Sequence, residues 1–144
     1  MITDIINKNS NHYCFGVIFI KGANYSSKRE AIYNRIASTK SHPTARWIYD
    51  SLKDEYPDLS LGTVYRNLAL FKEQGKVNCP AVVNGEERYD AMVDDHAHFV
   101  CEKCNHVYDV FDTNIKQIDD ALLEQEFQVT RQNLVFYGIC KNCK

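Results

Sequence analysis

The stretch SLGTVYRNLALFKEQGKVNCPAVVNGEERYD, residues 60–90, decides the fold. Leu61, Val64, Leu68 and Phe71 recur at helical spacing, Ser60 suits the N-cap, and Gly75 accepts the left-handed conformation that ends many helices. Lys76 to Val83 and Glu86 to Asp90 then flank Asn84-Gly85, a pair suited to the positive φ angles of a type I′ turn, so a hairpin is expected over 76–90. The outward face of the helix would carry Thr63, Tyr65, Arg66 and Asn67, residue types suited to phosphates and base edges. The same residues also make an ordinary solvated face.

Upstream, Ser27-Lys-Arg-Glu30 reads as a capping box, in which the Ser hydroxyl and the Glu carboxylate satisfy each other's backbone donors. Ile32, Tyr33 and Ile36 follow on one apolar face. A second helix is expected after Pro43 and Thr44, with Trp47, Ile48, Ser51 and Leu52 on one side, stopping before Pro57. Three helices and a hairpin make a winged helix, whose third helix is the natural reader of a DNA major groove. Tyr13 to Ile20 is β-branched and aromatic, is broken by Gly16, and is assigned no structure. No apolar run approaches a membrane span and no signal peptide is evident, so a soluble, cytoplasmic protein that does not enter a membrane is expected.

Beyond Asp90 the pattern turns to strands at Ala97 to Cys101 and Val107 to Phe111, a helix near Asn114 to Glu126, and strands at Phe127 to Thr130 and Leu134 to Ile139. The fold class expected is α+β: residues 1–90 as a winged-helix unit and 91–144 as a small α/β unit. A piece of that size buries a marginal core, so a structural metal and a dimer partner are expected to help stabilise it.

Two knuckles, Cys101-Glu-Lys-Cys104 and Cys140-Lys-Asn-Cys143, supply a complete thiolate set for one zinc ion. The thirty-five residues between Cys104 and Cys140 exceed a compact zinc ribbon, so a folded insert must bring the pairs together. Disulfides or a redox pair, and an iron-thiolate centre, are the alternatives. Cys14 and Cys79 have no sequence partner and read as small buried residues.

The net charge of −2 conceals an asymmetry: residues 1–83 hold 11 Lys and Arg against 7 Asp and Glu, while residues 84–144 hold 6 against 12. A basic half for a nucleic-acid partner and an acidic half with carboxylates to spare for a metal fit that division, as does ordinary solvated surface.

His96-Ala-His98 precedes the first knuckle. Side chains two residues apart in a strand leave on the same face, so these imidazoles can address one ion, with Asp90 and Asp109 on neighbouring strands. A nitrogen and oxygen site without thiolates suits Fe(II), Mn(II) or Zn(II). His42, before Pro43, could reach the same ion and bridge the two halves; capping or surface exposure is its ordinary alternative. His106, Asp94 and Asp95 read as surface residues.

The segments His42-Pro-Thr-Ala45, Leu61-Gly-Thr-Val-Tyr-Arg-Asn-Leu68, Glu87-Arg-Tyr-Asp90, His96-Ala-His-Phe-Val-Cys101-Glu-Lys-Cys104 and Phe136-Tyr-Gly-Ile-Cys140-Lys-Asn-Cys143, in this order, resemble the ferric uptake regulator superfamily over roughly residues 25 to 143. The resemblance implies a dimeric transcription regulator, not an enzyme, with a winged helix that binds double-stranded operator DNA, an inverted repeat, and a C-terminal dimerisation unit. Within that family it resembles the peroxide-responsive repressors, where His42, Asp90, His96, His98 and Asp109 would hold regulatory Fe(II) or Mn(II) and the four cysteines structural Zn(II). Metal-uptake regulators commonly carry Glu at positions 90 and 109 and a further His near Gln132. Where the family reads Thr-Pro-Gln-Arg, this chain has Ser26-Ser-Lys-Arg29, which keeps Arg29 as a DNA-binding candidate.

The mechanism this implies is repression by the metal-loaded dimer, with Fe(II)-dependent oxidation of His42 or His96 by peroxide releasing DNA. A regulator sensing iron or zinc concentration alone is the alternative. A non-haem iron oxygenase, which also uses two His and a carboxylate, is a remote one.

Overall fold

The computed structural model describes residues 26–111, 115–130 and 132–144; Cys14 and the Tyr13 to Ile20 segment lie outside them. Helix α1 spans Ser27–Ala37, α2 Ala45–Leu52 and α3 Leu61–Glu73. Strands β1 (Asn78–Val83) and β2 (Glu86–Asp90) follow, then β3 (Ala97–Cys101), β4 (Val107–Val110), helix α4 (Ile115–Glu124) and β5 (Val135–Gly138).

Local chemistry sets most of these boundaries. The Thr44 hydroxyl accepts the Trp47 N–H at the start of α2, and the Ser60 hydroxyl accepts the Thr63 N–H at the start of α3. Helix α3 ends in a Schellman motif: Gly75 has φ 65°, and the N–H groups of Gly75 and Lys76 return to the carbonyls of Lys72 and Phe71. Asn84 and Gly85 have φ of 54° and 79°, as a type I′ turn requires, and Val83 pairs directly with Glu86.

Three expectations are corrected. Helix α1 is capped at Ser26, whose side chain makes no capping bond, so the box at Ser27 and Glu30 does not form; Ser27 is already in helical geometry. Trp47 is 44% exposed while Ile48 is buried, because adjacent helix positions point about 100° apart and only Ile48 faces the core. Phe127 to Thr130 is not a strand, because no neighbouring segment among the described residues pairs with it.

The hairpin is buried from both sides, and this positions the site. Tyr89 joins Ile32, Ile36, Ile48, Leu52, Val64, Leu68 and Phe71 in a core shared with the three helices. Ala81 and Val83, on the opposite face of the hairpin, pack instead with Val100 and Val107 of the second sheet. A register shift between Asn78 and Ala81 places an extra residue in β1 at Cys79-Pro80, where the missing proline N–H costs no ladder bond. The second sheet runs β4-β3-β5, with β3 antiparallel to β4 and parallel to β5. Among the described residues no helix is long and apolar enough to cross a membrane.

Candidate functional site

The parallel pairing of β3 with β5 brings the two knuckles together: Cys101 lies opposite Gly138, and Cys140 follows two residues later. All four Sγ atoms lie within 4.8 Å of one another, with Cys104 and Cys140 3.9 Å apart. Sulfurs bound tetrahedrally at about 2.3 Å from zinc stand about 3.8 Å apart, so the set fits that ion. The Cys140 N–H donates to Cys101 Sγ at 3.3 Å, which pushes the Cys101 thiol down to about 6. A hydrogen bond from Tyr108 lowers Cys140, and the same contact pushes the Tyr108 phenol up to about 12. Cys143, beside Cys140 and the other sulfurs, is pushed up to about 12. Four crowded thiols cannot all ionise without a cation, and a zinc ion resolves that conflict. The described cysteines form no disulfide. Cys79, expected to be buried, is half-buried at the bulge, and burial raises its thiol.

The second cluster gathers His42 from the loop before α2, His96 from the residue just before β3, and Asp90, His98 and Asp109 from strands β2, β3 and β4. His98 and Asp109 are direct partners across β3 and β4, so their side chains share a face. Asp90 ends β2; its Oδ1 accepts the Met92 N–H at 2.8 Å, which leaves Oδ2 for the cluster. His42 is buried, and its loop is tied to β2 by the Tyr89 N–H donating to the Pro43 carbonyl. Its φ of 51° is sparsely populated for a non-glycine residue and is typical of positions held by their surroundings.

The donor atoms of His42, Asp90, His98 and Asp109 all lie within 4.8 Å of one another, and His96 meets the two carboxylates. His42 Nε2 lies 2.8 Å from Asp109 Oδ1, His96 Nε2 3.2 Å from Asp90 Oδ2 and 3.5 Å from Asp109 Oδ1, and His98 Nε2 3.5 Å from Asp90 Oδ2. All five atoms are buried without a hydrogen-bond partner. Ligands about 2.1 Å from one ion and at right angles stand about 3 Å apart, so short, unaligned contacts among orphaned donors are the geometry of a shared cation. Burial lowers the affinity of His42 for a proton, which keeps its imidazole neutral and its lone pair available. Three nitrogens and two carboxylates suit a divalent first-row metal.

Two contributors were missed from sequence. The Asp94 carbonyl faces His96 Nδ1 at 2.7 Å, which fixes the tautomer that presents Nε2; backbone contacts of this kind leave no sequence signal. Phe111 stacks on the His96 ring with centroids 5.5 Å apart. His106, Asp94 and Asp95 are exposed, as expected. Of the helix candidates, Tyr65 and Arg66 are exposed, whereas Thr63 and Asn67 are half-buried and bonded within the protein. Arg29 lies in α1 beside Asn67.

Fold and donor sets define an α+β protein whose two ligand clusters suit metal ions of different character. The model of the ferric uptake regulator family matches residues 21–137. The chain is 34% identical to the peroxide-responsive repressor PerR of Staphylococcus epidermidis over 124 residues, 85% of this chain and 83% of that one. The crystal structure of the Campylobacter jejuni peroxide stress regulator matches with a TM-score of 0.70 at 30% identity, over 81% of this chain and 88% of that one. The Helicobacter pylori ferric uptake regulator matches with a TM-score of 0.71 at 18% identity, over 83% and 81%, and shows the shared fold. The chain belongs to the ferric uptake regulator family.

Proposed function

We propose that this chain is a metal-dependent transcriptional repressor of the peroxide-responsive kind, acting as a homodimer on operator DNA with inverted half-sites. Residues 1–90 form its winged-helix unit, with β1 and β2 as the wing, and residues 91–144 its dimerisation unit. The observation that carries the reading is the buried, orphaned set His42, Asp90, His96, His98 and Asp109, which joins the loop before α2 to the second sheet. Support comes from the relatives named above and from the exposed apolar residues Leu123, Phe127, Phe136, Tyr137 and Ile139 on the C-terminal unit, side chains that a second copy would cover.

Cys101, Cys104, Cys140 and Cys143 hold structural Zn(II) and play no part in sensing. His42 links the helical unit to the sheet ligands, so filling the site with Fe(II) or Mn(II) favours one orientation of α3, and DNA tightens metal binding by the same factor. Bound Fe(II) supplies the one-electron chemistry that reduces peroxide; Mn(II) supports repression without it. His42 and His96 are the imidazoles that would take up one oxygen atom of peroxide at a ring C–H, the other oxygen leaving as water. A cavity of about 680 Å³ between the hairpin and residues 132–134 has His96 and His98 in its lining. Once oxidised, either ring is a poorer ligand, the link to the sheet is lost and DNA is released.

Mass spectrometry of iron-loaded protein after peroxide is the test. Oxygen added to a peptide containing His42 or His96, with release of DNA by the iron form and not the manganese form, is expected. Unmodified histidine peptides with loss of zinc would overturn the mechanism, and equal behaviour of the two forms would indicate a regulator of metal concentration alone.

A further inference from the structure

Asn67 lies in the middle of α3, on the helix that the proposed function places against DNA. Asparagine reads adenine by using both ends of its amide, with Oδ1 accepting from N6 and Nδ2 donating to N7. Both ends are already engaged here. Oδ1 accepts from Arg29 Nε at 3.0 Å, and Nδ2 donates to the Thr63 carbonyl at 2.8 Å. Each bond is part-buried, and together they fix the amide between the backbone of α3 and the guanidinium of α1.

The neighbouring residues are arranged differently. Tyr65 is 51% exposed and Arg66 is exposed. Arg66 is steadied from below, its Nη2 donating to Thr63 Oγ1 at 2.9 Å, with the Ser60 hydroxyl 2.9 Å from that same oxygen. The helix therefore presents one aromatic and one guanidinium outward, while the amide between the helices is turned to an internal task.

We propose that Asn67 is a positioning residue, which orients Arg29 so that α1 and α3 approach the DNA backbone as one unit, and that it reads no base. This rests on the DNA-binding reading above. A guanidinium has five donors in a rigid fork, and a bond at Nε fixes the plane of the whole group. Phosphate contacts set register and orientation without carrying sequence information. Loss of Asn67 should therefore weaken binding to every sequence alike.

The experiment uses the full-length, manganese-loaded protein and a duplex selected by it from a random-sequence pool. Affinity is measured against salt for wild type, Asn67→Ala, Arg29→Ala and the double variant, on that duplex and on single-base substitutions of it. Asn67→Ala should weaken binding several-fold across the whole duplex series and reduce the slope of log K against log salt by up to about 0.9, the share of one phosphate. It should add nothing to Arg29→Ala. Arg29→Lys, which keeps the charge but cannot donate from Nε, should reproduce Asn67→Ala and covers the case in which Asn67→Ala fails to fold. Lost discrimination at one base pair, additivity with Arg29→Ala, or a uniform loss with an unchanged salt slope would each overturn the proposal. If no duplex is recovered, or Arg66→Ala leaves affinity unchanged, the DNA-binding reading itself falls.

Discussion

His42 Nε2 stands 2.8 Å from Asp109 Oδ1, yet neither atom takes part in a hydrogen bond. A neutral imidazole and a carboxylate that close, misaligned and shielded from water are unfavourable as a bare pair and favourable as two ligands of one cation. They come from the loop before α2 and from β4, so the contact couples the helices to the second sheet. His42→Ala or Asp109→Asn is expected to weaken Mn(II) binding at least tenfold by calorimetry while zinc content is unchanged; loss of zinc from either variant would show that the two sites are not separate.

The thiolate cluster should behave as an anchor. Cys140→Ser removes one of four ligands and breaks the Tyr108 contact, and it is expected to release zinc and lower the melting temperature sharply, as metal affinity in such sites is folding free energy. Tyr108→Phe should keep the fold but reduce zinc affinity about 10- to 100-fold, measured by chelator competition, because only the outer hydrogen bond is lost.

Ile48 is fully buried where α2 meets the other helices and the hairpin. Ile48→Ala should cost about 2–5 kcal/mol in urea unfolding, through lost transfer free energy and the cavity left behind. The exposed neighbour offers a control: Trp47→Ala should cost much less.

Glu87 on β2 accepts from Lys72 on α3 and from the Tyr89 hydroxyl, and these bonds, Lys72 first, hold its carboxyl below the usual range. A carboxylate whose folded pKa is depressed stabilises the fold above its unfolded value, near about 4.3, and the contribution is lost as pH falls through the folded value. Both side chains of the Lys72 pair are about a third or more exposed, so screening limits the effect. Glu87→Gln should cost about 0.3–1 kcal/mol at pH 7 and progressively less as pH falls below the unfolded value, by denaturant titration across that range.

Much of this was legible in the chain because its signals are local. Ser60, Gly75 and Asn84-Gly85 act within a few residues through caps and positive φ, and the helix and hairpin they bound stand where periodicity placed them. The Cys-x-x-Cys pairs likewise announce their chemistry by spacing. Phe127 to Thr130 has the composition of a strand, but a strand exists only through a partner, and composition does not supply one.

The sequence by itself determined the α+β class, the order of the three helices, the hairpin and the strands that carry the knuckles, and the kinds of ligand available. Tertiary structure alone decided which of those ligands meet. His42 is separated from Asp109 by a hairpin that packs Tyr89 against the helices and Ala81 and Val83 against the second sheet, and that two-sided burial draws the distant loop over β4. The same dependence on packing turned Trp47 outward and set Asn67 against Arg29. Backbone preferences are written residue by residue, whereas the convergence of donors from four segments depends on how whole faces are buried together.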